Sequence, residues 1–327
     1  MKKVITLEEK EKLFISVYHL GYSKQGEGSI FILYTATGKV LYSLAIDCFT
    51  EEQWNMTDEI LKQWKLNNKL NMFIWTHPHD DHSVGVDDII SEYCSKESII
   101  CMANIFGLEA KCSDVCKKNI SYIKTLTHRK SVRNKWRINP VAHFPEVLDE
   151  VSFNGACEIK SLVVQCIAPF PELGGLEGSK RKPDFNMMGI GCILKVETKN
   201  ENINFLFAGD MEHYTIERLI EENDESIPTV YNYIKIPHHG SENAENMIEY
   251  LELHEGLKSE FASASIFVQH NLPKVKVLDK YKKVVEKLGC TSDIAENNYG
   301  LGVINLVFDL ESKKVYQKLY GTAGILF

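Results

Sequence analysis

A short apolar run, Met72-Phe73-Ile74-Trp75, leads directly into Thr76-His77-Pro78-His79-Asp80-Asp81-His82, and this junction constrains the chain more than any other segment. An unbroken apolar stretch of that length reads as a strand buried on both faces of a sheet. Past the turn, Val84, Val86, Ile89 and Ile90 recur at roughly helical spacing, so a helix is predicted to begin near His82 or Ser83. A strand end that feeds a helix start is a rigid frame on which side chains can converge. His77, His79 and His82 offer imidazole nitrogens suited to borderline cations such as zinc, and Asp81 adds a carboxylate that also suits harder ions. Histidine-rich turns also arise by chance or as helix caps, but His-x-His-x-Asp-His behind a strand points to a divalent metal. Asp80 reads as a hydrogen-bonding residue of the turn.

That spacing resembles the His-x-His-x-Asp-His motif of the metallo-β-lactamase fold hydrolases, and the likeness can be followed along nearly all of the chain. Phe205-Leu206-Phe207-Ala208-Gly209-Asp210 resembles the family's strand ending in Gly-Asp, whose aspartate bridges two metals. Tyr233-Ile234-Lys235-Ile236-Pro237-His238-His239-Gly240-Ser241 resembles the next strand, which ends in a histidine completing the second metal site. The His-His-Gly-Ser turn is most similar to the branch that includes the metallo-β-lactamase domain of the competence protein ComEC. Three further segments resemble that branch: Gln25-Gly26-Glu27-Gly28-Ser29 with the following Ile30-Phe31-Ile32-Leu33, the strand Leu44-Ala45-Ile46-Asp47, and a closing strand-helix-strand. The last runs from Gln269 and Pro273 through a helix over roughly residues 274–288 to Asn297-Asn298-Tyr299-Gly300 and Val303-Ile304.

The resemblance implies an α/β protein with an αββα sandwich of the metallo-β-lactamase type, two mixed sheets flanked by helices, in a single domain over residues 1–327. It implies two divalent ions, zinc or manganese. His77 and His79 would hold the first with Asn186; Asp81, His82 and His239 would hold the second; Asp210 would bridge them beside a hydroxide nucleophile. His239 is preferred to His238 because it directly precedes Gly240. His238 then stands beside the metals or protonates a leaving group, which makes Asp81, Asp210 and His238 the catalytic candidates. Asn186 occupies the place where the family usually supplies another histidine, and an amide oxygen suits manganese or magnesium better than zinc. Asp184 is the less favoured substitute.

Composition bounds what remains. The chain has 327 residues, 44% hydrophobic and 25% charged, which is ordinary for a globular protein with ample core. The first dozen residues are charged, no apolar run reaches 18 residues, and no internal repeat or low-complexity linker interrupts the chain, so a cytoplasmic protein without membrane partners is expected. Nine scattered cysteines suit reduced thiols. Cys112 and Cys116, one helical turn apart, are either half a zinc site or ordinary helix packing. Helices are expected over about 51–66, 83–94 and 105–125, strands up to about 48 and at about 98–102, and sheet over 150–210, with a long loop from Pro169 to Pro183.

A net charge of −8 argues against holding nucleic acid by bulk electrostatics. Local clusters can override it. Lys180-Arg181-Lys182 precedes Asn186 and is read as binding substrate phosphate, while Arg133, Trp136 and Arg137 lie in a basic stretch over residues 128–137 that either contacts a nucleic-acid strand or is solvated surface. Three readings follow. The favoured one is a metal-dependent phosphodiesterase or nuclease acting on DNA, RNA or another phosphodiester. The alternatives are a hydrolase of a small ester, thioester or lactam, and an interaction module with a residual metal site that needs a protein partner.

Overall fold

The computed structural model describes residues 3–22, 25–127, 135–142, 144–173, 180–253, 256–292 and 300–327. Strands are numbered in chain order. A nine-stranded sheet runs β1 (Lys3–Leu7), β8 (Glu146–Gly155), β9 (Ile159–Ala168), β10 (Gly191–Thr198), β11 (Asn202–Phe207), β12 (Tyr233–Lys235), β13 (Ser259–Ala264), β14 (Val285–Cys290), β17 (Gly324–Ile325). An eight-stranded sheet runs β16 (Lys314–Gly321), β15 (Gly302–Asp309), β2 (Leu13–Gly21), β3 (Glu27–Thr35), β4 (Val40–Ile46), β5 (Met72–Trp75), β6 (Ile99–Ala103), β7 (Arg137–Val141). Both sheets are mixed: β4 to β7 and β11 to β14 are parallel, and the flanking hairpins are antiparallel.

Alternation along the strands builds four layers. Phe31, Leu33, Met72 and Ile74 from one sheet and Phe205, Phe207 and Tyr233 from the other fill the space between the sheets. Their neighbours Ile30, Ile32, Phe73 and Trp75 point outward, onto helices Met56–Gln63, Val86–Tyr93 and Asp114–Thr127. On the opposite side Leu206, Ala208 and Ile234 meet helices His213–Glu222, Met247–Glu252 and Val275–Tyr281. The unbroken apolar stretches are explained by this arrangement, because the central strands are covered on both faces. The αββα sandwich expected from the sequence is the architecture found.

Element boundaries depart from expectation at identifiable signals. The first helix starts at Met56 rather than near residue 51, because the Asn55 side chain accepts from the Asp58 amide and caps it. Residues 80–82 form a 3₁₀ turn before the helix at Val86. The helix expected over 105–125 begins only at Asp114, after a separate turn at Glu109–Lys111. The closing helix expected to reach 288 ends at Tyr281, and the β-branched Val285 opens β14. Asn297 to Tyr299, and residues 128–134 of the basic stretch with Arg133 among them, lie outside the described residues. Among the described residues no helix is long and apolar enough to cross a membrane. All nine cysteines are buried and none is joined in a disulfide.

Phe205 ties the two sheets together, packing edge-on against Phe31 at 5.3 Å and Phe308 at 5.2 Å. Truncating Phe205→Ala should cost about 3–5 kcal/mol through the cavity it leaves. Urea denaturation should report this as a lower midpoint at unchanged slope; a loss of under about 1 kcal/mol would mean that the inter-sheet core is not close-packed there.

Candidate metal centre

Every group at the centre leaves the same end of the sandwich. Asp47 follows β4 and His77 follows β5, and these strands are parallel; Asp210, His239 and Ser265 follow β11, β12 and β13, which are parallel in the other sheet. Glu27 opens β3, which runs antiparallel to β4 and so starts where β4 ends. Crevices beyond the carboxyl ends of parallel strands are where open α/β sheets place ligands.

The predicted ligands meet there. His77 Nε2 lies 3.1 Å from His79 Nδ1 and 3.9 Å from Asp210 Oδ2. His82 Nε2 lies 3.4 Å from Asp210 Oδ2 and 3.5 Å from Asp81 Oδ2. His239 Nε2 lies 3.2 Å from Asp81 Oδ2 and 3.8 Å from Asp210 Oδ2. Three imidazole edges thus converge on a single oxygen of Asp210, with the Asp81 carboxylate beside two of them. All are buried except His79, which is half-buried.

What orients the rings was not visible in the motif. His82 Nδ1 donates to Asp47 Oδ2 at 2.8 Å. His77 Nδ1 lies 2.9 Å from Thr76 Oγ1, whose hydroxyl proton goes to Asp47 at 2.7 Å, so Thr76 accepts from His77. His239 Nδ1 lies 2.8 Å from Ser265 Oγ, whose proton goes to Glu27, so Ser265 likewise accepts. Each ring has its Nδ1 proton committed, directly or through one hydroxyl, to a buried carboxylate behind it. Each therefore turns Nε2 to the centre, an arrangement that fixes the tautomer of metal-binding histidines.

Backbone strain accompanies this placement. Asp47, His238 and His239 adopt left-handed φ of 56°, 44° and 51°, a conformation that costs roughly 1–3 kcal/mol each in non-glycine residues. Gly209 has φ 54°, and a Cβ there would sit 2.9 Å from the Ile190 carbonyl. Its own carbonyl accepts from Lys235 Nζ at 2.8 Å and from the His238 amide at 3.1 Å, fastening β11 to β12 just before Asp210.

Asn186 lies in the turn Phe185–Met188, buried, its amide nitrogen donating to Glu212 Oε1 at 3.0 Å. Glu212 Oε1 is also 2.7 Å from His238 Nδ1, so one carboxylate sets both side chains. Asp184 turns instead to the Asn186 backbone amide at 3.1 Å. The Asp80 side chain accepts from Ser113 Oγ at 2.5 Å, a partner just before the helix at Asp114 rather than one within the turn as expected. Cys116 Sγ sits 3.4 Å from Ser83 Oγ within the helical layer, the packing reading of the Cys112 and Cys116 pair.

The donors suit a cation. The buried Nε2 of His82 and Oδ1 of Asn186 have no hydrogen-bond partner, and such orphans require one. Glu27, His82, Asp210 and His239 each bring a ligand-type atom within 4.8 Å of one another. Glu27 itself is not free to ligate, because its two oxygens are taken by Lys235 and Ser265.

Comparison with protein-family models finds no match, and none is found among curated proteins. Solved structures do match. The metallo-beta-lactamase fold protein YhfI from Bacillus subtilis is 11% identical with a TM-score of 0.42, over 94% of this chain and 100% of that one. Unliganded yeast PDE1 is 12% identical with a TM-score of 0.40, over 83% and 93%. MEM-A1, a subclass B3 metallo-beta-lactamase from a soil metagenome library, is 10% identical with a TM-score of 0.34, over 86% and 94%. With alignments this loose, none bears on what this chain binds or cleaves.

The centre forms the floor of an open cleft of about 670 Å³, where His79, Asp81, Asn186, Asp210 and His238 are exposed to it. Lys111, Ser113, Asn243, Phe267 and His270 line its walls. Lys180, Arg181 and Lys182 are solvent-exposed and do not line it; the Lys180 carbonyl instead accepts from Lys111 Nζ at 2.5 Å. Trp136 packs half-buried against the helical layer, while Arg137 is exposed at the start of β7.

Burial pushes the His77 imidazole well below its ordinary pKa, with His82 and His79 adding to the effect, so it is neutral and ready to bind. Burial acts the same way on His82, but Asp210, Asp81 and Asp47 outweigh it and raise that pKa. A cation must therefore displace a proton from His82, and affinity should rise with pH until that pKa is passed. Titration calorimetry in buffers of different ionisation enthalpy should register proton release; a buffer-independent heat would contradict this. Asp47→Ala should weaken metal binding by roughly 10–100-fold with the fold intact. Competition with a chromogenic chelator measures it, and wild-type affinity would show that the ring-orienting role is wrong.

Proposed function

We propose that the chain is a metal-dependent hydrolase, most specifically a phosphodiesterase or nuclease. One observation carries the reading: imidazoles with their Nδ1 protons committed behind them turn Nε2 toward a shared Asp210 oxygen at the floor of an open cleft. His77, His79 and Asn186 would hold one divalent cation; Asp81, His82 and His239 would hold the other; Asp210 would bridge. The amide oxygen of Asn186 favours manganese over zinc at the first position. Bound cations would supply Lewis acidity to activate water and neutralise charge on the scissile group.

The residues around them set the rest. His238 keeps Nδ1 on Glu212 and lies with Nε2 4.0 Å from Asp210 Oδ2, at the cleft surface. Burial opposes its protonation, but Asp210 and Glu212 prevail and raise its pKa, which suits a donor to the leaving oxygen. Asp81 would act beside His82 and His239 as a ligand of the second cation, and Asp210 would join the two half-sites.

A phosphodiester substrate is supported by Lys111, Ser113, Asn243 and His270 on the walls, which offer donors to phosphate oxygens. The likeness of the His-His-Gly-Ser turn to the ComEC-like branch supports the same substrate class.

Metal-stripped protein given zinc, manganese or magnesium in turn should cleave bis(p-nitrophenyl) phosphate or labelled DNA or RNA, best with manganese. Cleavage of esters or lactams alone would move the assignment to small substrates. His79→Ala and Asp210→Ala should remain folded and lose turnover, and full activity in either would refute the metal reading. Lys111→Ala should lower kcat/KM on polyanions about tenfold, the size of one charge-assisted hydrogen bond, and leave a neutral ester unchanged. Equal losses on both would remove Lys111 from phosphate recognition.

A further inference from the structure

Behind the centre, away from the cleft, lies a buried lysine that none of the chemistry above uses. Lys235, the last residue of β12, is 3% exposed, and its ammonium pairs with Glu27 Oε1, lies 3.4 Å from Asp210 Oδ1 and donates to the Gly209 carbonyl at 2.8 Å. A lysine so deep needs acceptors on every side, and these three surround it. The two oxygens of Asp210 consequently have different neighbours: Oδ1 faces Lys235, whereas Oδ2 faces His77, His82, His238 and His239 at 3.4–4.0 Å.

We propose that Lys235 is a positioning residue that holds Oδ1 of Asp210 and so presents the aspartate to the cations through Oδ2 alone. The inference rests on the metal-dependent reading. A carboxylate held at one oxygen can bridge only through the other, which draws two cations close together. A carboxylate free to rotate can chelate a single cation through both oxygens and leave the second poorly held. Glu27 completes the device by linking the Lys235 ammonium, through Ser265, to the ring of His239.

The test uses the full chain and manganese as the probe. Lys235→Met alone leaves Glu27 as an unpaired buried charge and risks unfolding, so the informative variant is the double substitution Glu27→Gln with Lys235→Met, which removes both charges together. Wild-type protein should bind two manganese ions per chain and give the electron paramagnetic resonance spectrum of a spin-coupled pair. The double variant, folded by circular dichroism, should bind the second ion at least tenfold more weakly than Glu27→Gln alone, which perturbs the same Ser265 and His239 relay but keeps Lys235, and should show an isolated-ion spectrum. Two ions bound with unchanged affinity and a coupled spectrum in that variant would overturn the role of Lys235 while leaving the metal-dependent reading intact. Wild-type protein that binds no manganese would overturn that reading and this inference with it.

Discussion

Two buried carboxylates that never face the cleft, Asp47 and Glu27, organise everything that does. Asp47 takes the His82 proton directly and the His77 proton through Thr76, while Glu27 takes the His239 proton through Ser265. Burying an ionised carboxylate costs several kcal/mol unless it is paired and hydrogen-bonded, so each is tolerated only as the end of such a relay. Once those acceptors are in place, three rings have one orientation each, and the nitrogen left over points where a cation can sit. Asp47 and His239, both members of these relays, have left-handed backbone.

The two sheets contribute unequal halves of this arrangement. β4 and β5 bring Asp47 and the histidine turn, while β11, β12 and β13 bring Asp210, His239 and Ser265. The distance between the halves is set by the apolar layer between the sheets, where Phe31 meets Phe205, and by links such as the Ile190 amide donating to the Thr76 carbonyl at 3.0 Å. That link joins the segment carrying Asn186 to the turn carrying His77, so packing in the core and spacing at the centre are one problem. Because interiors are close-packed, a shift between the sheets would be transmitted to the ligands rather than absorbed.

Local patterns were legible in the sequence and long-range partnerships were not. The histidine turn, the Gly-Asp strand end and the His-His-Gly turn each announce themselves by an apolar strand followed by polar residues, and the structure brings them together. Asp47 and Lys235 stood inside segments already picked out as strand ends, yet their partners lie 35 and 208 residues away in His82 and Glu27, and no periodicity encodes such pairings. A lysine ending an otherwise apolar buried strand was the one available signal, since a buried ammonium requires counter-charges. Glu212 was invisible for the same reason: Asn186 and His238 join only in space. Lys180 to Lys182, read as binding substrate, do not line the cleft; the lysine that does is Lys111, from a turn read as part of a helix. The closing helix that the resemblance carried to 288 stops at Tyr281, and Val285, whose β-branching favours a strand, opens β14.

The central claim is that Nε2 of His77, His82 and His239 and Oδ2 of Asp210 are the atoms that hold cations. Anomalous diffraction from crystals soaked in manganese measures this directly. The account predicts two peaks in the floor of the cleft, each about 2.0–2.3 Å from those atoms, sharing Asp210 Oδ2. A single peak behind the rings on Glu27, or no peak within reach of His239, would contradict it.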